Sequence, residues 1–282
     1  MAIRVAVSGA TGWVGRAIAE SLLLHPEFEL CGAVARKTAG RDLGEVIGVP
    51  AANGILIQKT VREVLTTGPD VLVDYTEPLA VKEHVLTALQ HGVHVVVGTS
   101  GLTANDYAEI ADIARSAQRG VVAAGNFSLS ATLAKHFSLI AARYMKSWEI
   151  VEYADAHKID APSGTVQELA EMLGEQSPPQ IDVPIDETVG TIAVRGGLIA
   201  GVPVHAVRLP GFVLGFDVIF GMDGERLMLR HEAGSSPDPY VSGTLLAIRR
   251  VGRVHGLVRG LDRLLFEQTE TSDRGEATKD SR

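Results

Sequence analysis

The stretch Ile3-Arg4-Val5-Ala6-Val7-Ser8-Gly9-Ala10-Thr11-Gly12-Trp13-Val14-Gly15 decides the fold. Ile3, Val5 and Val7 read as a short apolar strand, and the chain then runs into a glycine-rich turn. Val14, Ile18 and Leu22 follow at helical spacing. Strand, glycine turn and helix in that order are the start of a dinucleotide-binding unit. The turn must be tight, the backbone must approach a pyrophosphate closely, and the helix must pack against the sheet. The free N–H groups and dipole of the helix N-terminus then face the phosphates. The spacing is G-x-x-G-x-x-G, looser than G-x-G-x-x-G, so the weight rests on its place behind the first strand.

Outward from this stretch the pattern repeats. Short apolar runs at residues 30–35, 71–74, 93–97 and 121–124 alternate with helical spacings such as Val81-Val85-Leu89 and Ile110-Ile113-Ala117. Strands alternating with helices predict βαβ units, and near-continuous apolar strands predict a parallel sheet covered on both faces. The second strand ends in Ala35-Arg36-Lys37, where an NAD enzyme usually carries an acid about 20 residues past the glycines to take the ribose 2′-hydroxyl. Two cations there suit a 2′-phosphate, so NADPH is expected ahead of NADH, with NADH still admitted.

Beyond Gly125 the pattern changes. A helix is expected over residues 129–146. Strands are expected over 149–153, 191–194, 204–209, 216–221 and 226–231, in a mostly antiparallel sheet, and a helix over 240–251. The fold class is therefore an α/β Rossmann-type domain plus an α+β domain. Residues 268–282 are nearly devoid of apolar side chains and are expected to be a disordered tail.

Composition narrows the function classes. The 282 residues carry 26 Lys and Arg against 34 Asp and Glu, a net charge of −8, and only 7 Phe, 5 Tyr and 2 Trp. Neither a basic surface nor a set of stacking platforms is available for nucleic acid. Cys31 is the single cysteine, no run of about 18 apolar residues occurs, and the N-terminus lacks a signal-peptide pattern. A cytoplasmic protein with no membrane partner is expected. None of the five tyrosines has Lys four residues later, as a short-chain dehydrogenase needs. No Walker loop, G-x-S-x-G elbow or H-E-x-x-H metal motif occurs, and no metal is expected.

A second cluster reads Glu152-Tyr153-Ala154-Asp155-Ala156-His157-Lys158-Ile159-Asp160-Ala161-Pro162-Ser163-Gly164-Thr165. It starts on a strand and ends in the first turn of a helix continued by Val166, Leu169 and Leu173. Gly164 and Thr165 thus offer N–H groups to an anion, with His157 and Lys158 nearby, an arrangement suited to a small carboxylate.

His157 to Thr165, together with Gly98-Thr99-Ser100-Gly101, Asn126-Phe127-Ser128, Asp74-Tyr75-Thr76 and Val207-Arg208-Leu209-Pro210-Gly211, resembles the 4-hydroxy-tetrahydrodipicolinate (dihydrodipicolinate) reductases, in order over residues 3–265. The resemblance implies a Rossmann domain of residues 1–126 closed by 235–267, and a substrate and oligomerisation domain of 127–234, assembled as a homotetramer. It implies hydride transfer from NAD(P)H to a cyclic imine-type carboxylate in lysine and diaminopimelate synthesis. Gly9, Thr11, Gly12, Trp13, Val14 and Gly15 would hold the pyrophosphate, Arg36 and Lys37 the adenosine ribose. Gly98, Thr99, Asn126 and Phe127 would border the nicotinamide. Lys158 would be the catalytic or substrate-orienting cation, and Gly164 and Thr165 would bind a substrate carboxylate.

The sequence departs from that pattern where the family has two adjacent histidines, the first the usual proton-donor candidate: here stand Ala154 and Asp155. Phe212-Val213-Leu214-Gly215-Phe216 also replaces a more polar, His-containing stretch. The proton is then expected from His157, Lys158 or water, or from Asp155 if burial raises its pKa. A paralogue reducing another imine or enamine, and a non-catalytic NADPH-binding protein, are the alternatives.

Overall fold

A computed structural model describes residues 1–266; the expected tail at 268–282 lies outside them. The chain divides into two compact units, Met1–Leu129 with the described residues from Pro237 onward, and Ser130–Ser236.

In the first unit β1 (Ile3–Ser8), β2 (Phe28–Val34), β3 (Ile57–Gln58), β4 (Val71–Asp74), β5 (His94–Val97), β6 (Gly120–Ala123) and β12 (Gly256–Arg259) form one sheet in the order β12-β6-β5-β4-β1-β2-β3. All its pairings are parallel. Alternation along β1 explains the layers. Val5 and Val7 point to one face, where they join Ile18 and Leu22 of α1 (Trp13–Leu24) and Leu245 and Ile248 of α8 (Asp238–Val251). Ala6 points to the other, with Val85 and Leu89 of α4 (Val81–Gln90) and Ile110 of α5 (Ala104–Ser116). From β1 the chain builds outward to β2 and β3, then returns to the other side of β1 through β4. This reversal opens a crevice at the carboxyl end of β1, the place where open α/β sheets bind ligands. Two short helices, α2 (Leu43–Ile47) and α3 (Val61–Val64), flank β3, which at two residues is too brief for periodicity to register.

Gly9 and Gly15 have specific steric reasons. Gly9 has φ +85°, and a Cβ there would lie 2.1 Å from the Tyr75 carbonyl oxygen. A Cβ on Gly15 would lie 2.1 Å from the Gly9 carbonyl oxygen. Any side chain would push the helix from the strand.

The second unit holds β7 (Ser147–Ala154), β8 (Gly197–Ile199), β9 (Val202–Arg208), β10 (Leu214–Met222) and β11 (Glu225–Ala233), in the order β11-β10-β7-β9-β8. The sheet is mixed. β7 runs antiparallel to β10 but parallel to β9, where a mostly antiparallel sheet was expected. The cause is the connection: α7 (Gly164–Gln176) lies in the crossover from β7 to the β8–β9 hairpin, and a crossover of that length permits parallel pairing. α6 (Leu129–Ala141) and α7 cover one sheet face, packing Ala131, Ala134, Val166, Leu169 and Leu173 on Trp148, Ile150, Phe216, Val218 and Phe220.

Two expectations fail here. Residues 191–194 are not a strand: Ile192–Arg195 is a 3-10 turn with Ile192 and Val194 exposed, so its apolar side chains have no sheet face to bury against. The helix begun at Leu129 ends at Ala141, because the chain must turn before Trp148 enters the core. Among the described residues no helix is long and apolar enough to cross a membrane.

Candidate functional site

Beside the glycine turn of the first unit lies a cleft of about 840 Å³. Ser8, Gly9, Thr11 and Gly12 form one wall, and Arg36, Lys37, Lys59 and Arg62 contribute four cations. The N-cap of α1 is Gly12, with no side-chain cap and no acid in the first turn, so the first-turn N–H groups remain available. The Ser8 hydroxyl is fully buried and has no hydrogen-bond partner among the described residues. An uncapped helix start, an orphaned hydroxyl and a ring of cations fit a phosphate-bearing ligand.

Arg36 opens a short 3-10 turn after β2, and its Nη2 lies 2.7 Å from Glu77 Oε2 across the cleft. The opposite wall is fixed by Asp74. Its buried carboxylate accepts from Thr76 Oγ1 (2.7 Å) and Thr99 Oγ1 (2.6 Å), and pairs with His84 Nδ1 (2.7 Å). Gly98 passes directly over the Tyr75 ring, where a Cβ would be 2.1 Å from Cζ. Phe127 packs against the same ring at a tilt, 6.1 Å between centroids. The Asn126 side chain accepts from the Ser128 N–H (2.8 Å). Gly98, Thr99, Asn126 and Phe127 thus belong to buried packing at the carboxyl ends of β5 and β6.

Of the residues assigned to the turn, Gly9, Thr11 and Gly12 line the cleft, as do Arg36 and Lys37. Gly15 is buried against Gly9, and Val14 packs on the core. Trp13 lines a neighbouring groove and sets its ring edge-on to Tyr240 at 6.0 Å. Lys59, Arg62, Glu77 and His84 were not singled out from the sequence. No local motif marks them; only the sheet order brings the chain after β3, which pairs with β2, and the end of β4, which pairs with β1, to one cleft.

In the second unit the loop after β7 carries His157, Lys158, Gly164 and Thr165. A buried carboxylate and a partly buried guanidinium hold it. Glu152, fully buried on β7, accepts from the Ser163 N–H (2.7 Å) through Oε1 and from Arg208 Nη2 (2.7 Å) through Oε2. The same Arg208 nitrogen donates to the Asp160 carbonyl (2.7 Å). Ser163 caps α7 by accepting from Val166 N–H. Gly164 borders open space, while Thr165 is buried.

Lys158 Nζ contacts both carboxylate oxygens of Asp160, at 2.7 and 2.8 Å. The ammonium holds the Asp160 carboxyl below its ordinary range. Asp155 Oδ1 accepts from the backbone N–H of His157 (2.9 Å) and meets its Nδ1 (2.9 Å). These hydrogen bonds hold the Asp155 carboxyl low, so burial does not turn it into an acid. Asp155 instead orients His157, whose ring is 94% exposed with Nε2 free. Ala154 is fully buried and offers no polar atom. Phe216 is buried 5.4 Å from the His231 ring, and Phe212 stacks on Tyr153. Among the described residues no three His, Cys, Asp or Glu side chains are grouped to hold a metal ion.

Residues 3–127 match the family described as "Dihydrodipicolinate reductase, N-terminus", and residues 127–265 match "Dihydrodipicolinate reductase, C-terminus". The 4-hydroxy-tetrahydrodipicolinate reductase of Moorella thermoacetica is 39% identical over 265 residues, covering 93% of this chain and 98% of its own. That of Geobacillus kaustophilus is 36% identical, covering 94% and 100%. A solved structure, a dipicolinate-bound dihydrodipicolinate reductase from Paenisporosarcina sp. TG-14, superposes with a TM-score of 0.82 at 32% identity, covering 94% of this chain and all of that one. An amine dehydrogenase from Mycobacterium smegmatis, at 17% identity and TM-score 0.65, shares the fold alone. With both halves matched, and with relatives aligned from end to end, this chain belongs to the dihydrodipicolinate reductase family.

Proposed function

We propose that this protein is an NAD(P)H-dependent reductase of 4-hydroxy-tetrahydrodipicolinate, working in lysine and diaminopimelate synthesis in the cytoplasm. The observation that carries the reading is the loop of residues 157–165. It brings a cation, an oriented imidazole and the N-terminus of α7 into one short segment on a backbone clamped by Glu152 and Arg208. Identity over nearly the whole chain to reductases of one named substrate weighs against a different imine or a non-catalytic scaffold.

A nicotinamide bound in the first unit would supply hydride to the C=N carbon. Gly9, Thr11, Gly12, Trp13, Val14 and Gly15 would hold the pyrophosphate, and Arg36 and Lys37 the 2′-phosphate of NADPH, the preferred cofactor. Gly98, Thr99, Asn126 and Phe127 would shape the nicotinamide pocket from behind. The α7 N-terminus at Gly164 and Thr165 would take one substrate carboxylate. Lys158 would exchange Asp160 for the substrate and stabilise its negative charge. His157 would give the proton to the substrate nitrogen from Nε2 while Asp155 holds Nδ1. The departure at Ala154 thus relocates the donor and leaves the substrate class unchanged.

The face of the second unit's sheet opposite α6 and α7 presents Leu198, Met228 and a Tyr153–Asp217–Arg230 cluster. We assign a second copy of the chain to this face, within a homotetramer.

The test is cofactor oxidation on addition of 4-hydroxy-tetrahydrodipicolinate. Steady turnover is expected. Protein that binds NADPH yet leaves it unoxidised with this substrate overturns the reading.

A further inference from the structure

The end of β2 carries no acid to receive a ribose hydroxyl: Ala35, Arg36 and Lys37 stand there. An acid does reach the place from elsewhere. Glu77 lies three residues beyond β4, and its carboxylate closes on Arg36 across the cleft at 2.7 Å. Among the described residues each side chain pairs with the other, and both remain substantially exposed, 69% for Arg36 and 44% for Glu77. The backbone beneath Glu77 is firmly held. Thr76 N–H donates to Thr99 Oγ1 (2.7 Å), Thr76 Oγ1 to Asp74, and the Glu77 carbonyl accepts from Ala80 and Val81 N–H. A fixed backbone with a solvent-facing carboxylate describes a group placed for contact rather than for packing.

We propose that Glu77 sets the choice between NADPH and NADH by competing with the cofactor's 2′-phosphate for Arg36. This rests on the reading of the cleft as the adenosine end of a dinucleotide site. A 2′-phosphate must draw Arg36 away from Glu77 and must approach the carboxylate, which repels it. An unphosphorylated ribose leaves the ion pair intact and finds in Glu77 the hydroxyl acceptor that β2 lacks. Lys59 and Arg62 line the same cleft and attract either cofactor's phosphates, while Lys37 beside Arg36 adds to the pull on a 2′-phosphate. Glu77 therefore moderates an NADPH preference that the cations alone would make steep.

The experiment measures dissociation constants by calorimetry for 2′,5′-ADP, ADP, NADPH and NADH, on wild type, Glu77→Gln, Glu77→Ala and Arg36→Ala. Glu77 is exposed on the surface, and unchanged melting temperatures of the free variants check that the fold is kept. An exposed pair and one removed repulsion are worth about three- to tenfold. Glu77→Gln should tighten 2′,5′-ADP and NADPH by that factor, and Glu77→Ala should also weaken NADH. Arg36→Ala should loosen 2′,5′-ADP by about tenfold or more while leaving ADP within about twofold. An unchanged NADPH-to-NADH ratio in both Glu77 variants overturns the proposal. So does weaker 2′,5′-ADP binding in Glu77→Gln, which would make Glu77 a support for Arg36 instead of a competitor. If wild-type protein binds none of the four nucleotides, the reading of the cleft itself falls.

Discussion

At the residue scale, Lys158 stands with its ammonium on Asp160, in the segment that leads into the α7 N-terminus. A donor of this kind at developing charge is worth about 10²–10³ in rate. Lys158→Ala is expected to lower kcat/KM by about that factor, measured by cofactor oxidation, with little change in melting temperature because the side chain is on an exposed loop. His157→Ala should lower kcat by about 10²-fold or more with KM nearly kept, since a lost general acid acts in the transition state. A His157→Ala enzyme as fast as wild type would move the donor role to Lys158 or water. The segment of residues 157–165, proposed as the carboxylate site, was legible as a helix start because Pro162, Ser163 and the apolar spacing after it mark one. The orientation of His157 was not: it depends on the short turn that lets Asp155 accept from both the His157 backbone and ring.

At the element scale, β7 is the support for that loop. Glu152 sits in it with no exposure and joins the loop to β9 through Arg208. Removing a buried charge from such a pair costs about 3 kcal/mol, and here it also leaves the Ser163 N–H without an acceptor. Glu152→Ala should therefore show a loss near that size in urea unfolding, together with a rise in KM as the loop loosens. The opposite face of the sheet gives a pH prediction. Arg230 holds the buried Asp217 carboxyl below its ordinary range. A carboxyl with a depressed folded pKa adds stability above its unfolded pKa and loses it as pH falls through the folded value. Asp217→Asn should cost about 1–2 kcal/mol at neutral pH, discounted because Arg230 is half exposed. The gap to wild type should then narrow as the pH drops below about 4, the unfolded Asp value. Denaturant titrations at several pH values read both. The strand character of β7, β10 and β11 was legible in the sequence. The parallel β7–β9 pairing was not, because period-2 alternation is the same in either direction.

At the scale of the whole molecule, a ligand that binds only the folded state raises its stability by mass action. NADPH at about 100-fold over its Kd should add about 2.7 kcal/mol to unfolding, and dipicolinate should add a further increment if the loop of the second unit takes dicarboxylates. Calorimetric melting with each ligand reads this, and a flat response to both would contradict the proposed function. The Rossmann-type unit, its cleft and the loop proposed to take carboxylates all follow from short-range features: glycine spacing, apolar period and helix-start residues. These depend on neighbours a few positions apart, which a linear chain displays. Lys59, Arg62 and Glu77 in the cleft depended on sheet order, as the Glu152–Arg208 clamp depended on strand pairing. Those partners are 56 residues apart in the clamp. Contacts at such separation are chosen by packing of whole elements, and no local pattern of residues encodes them.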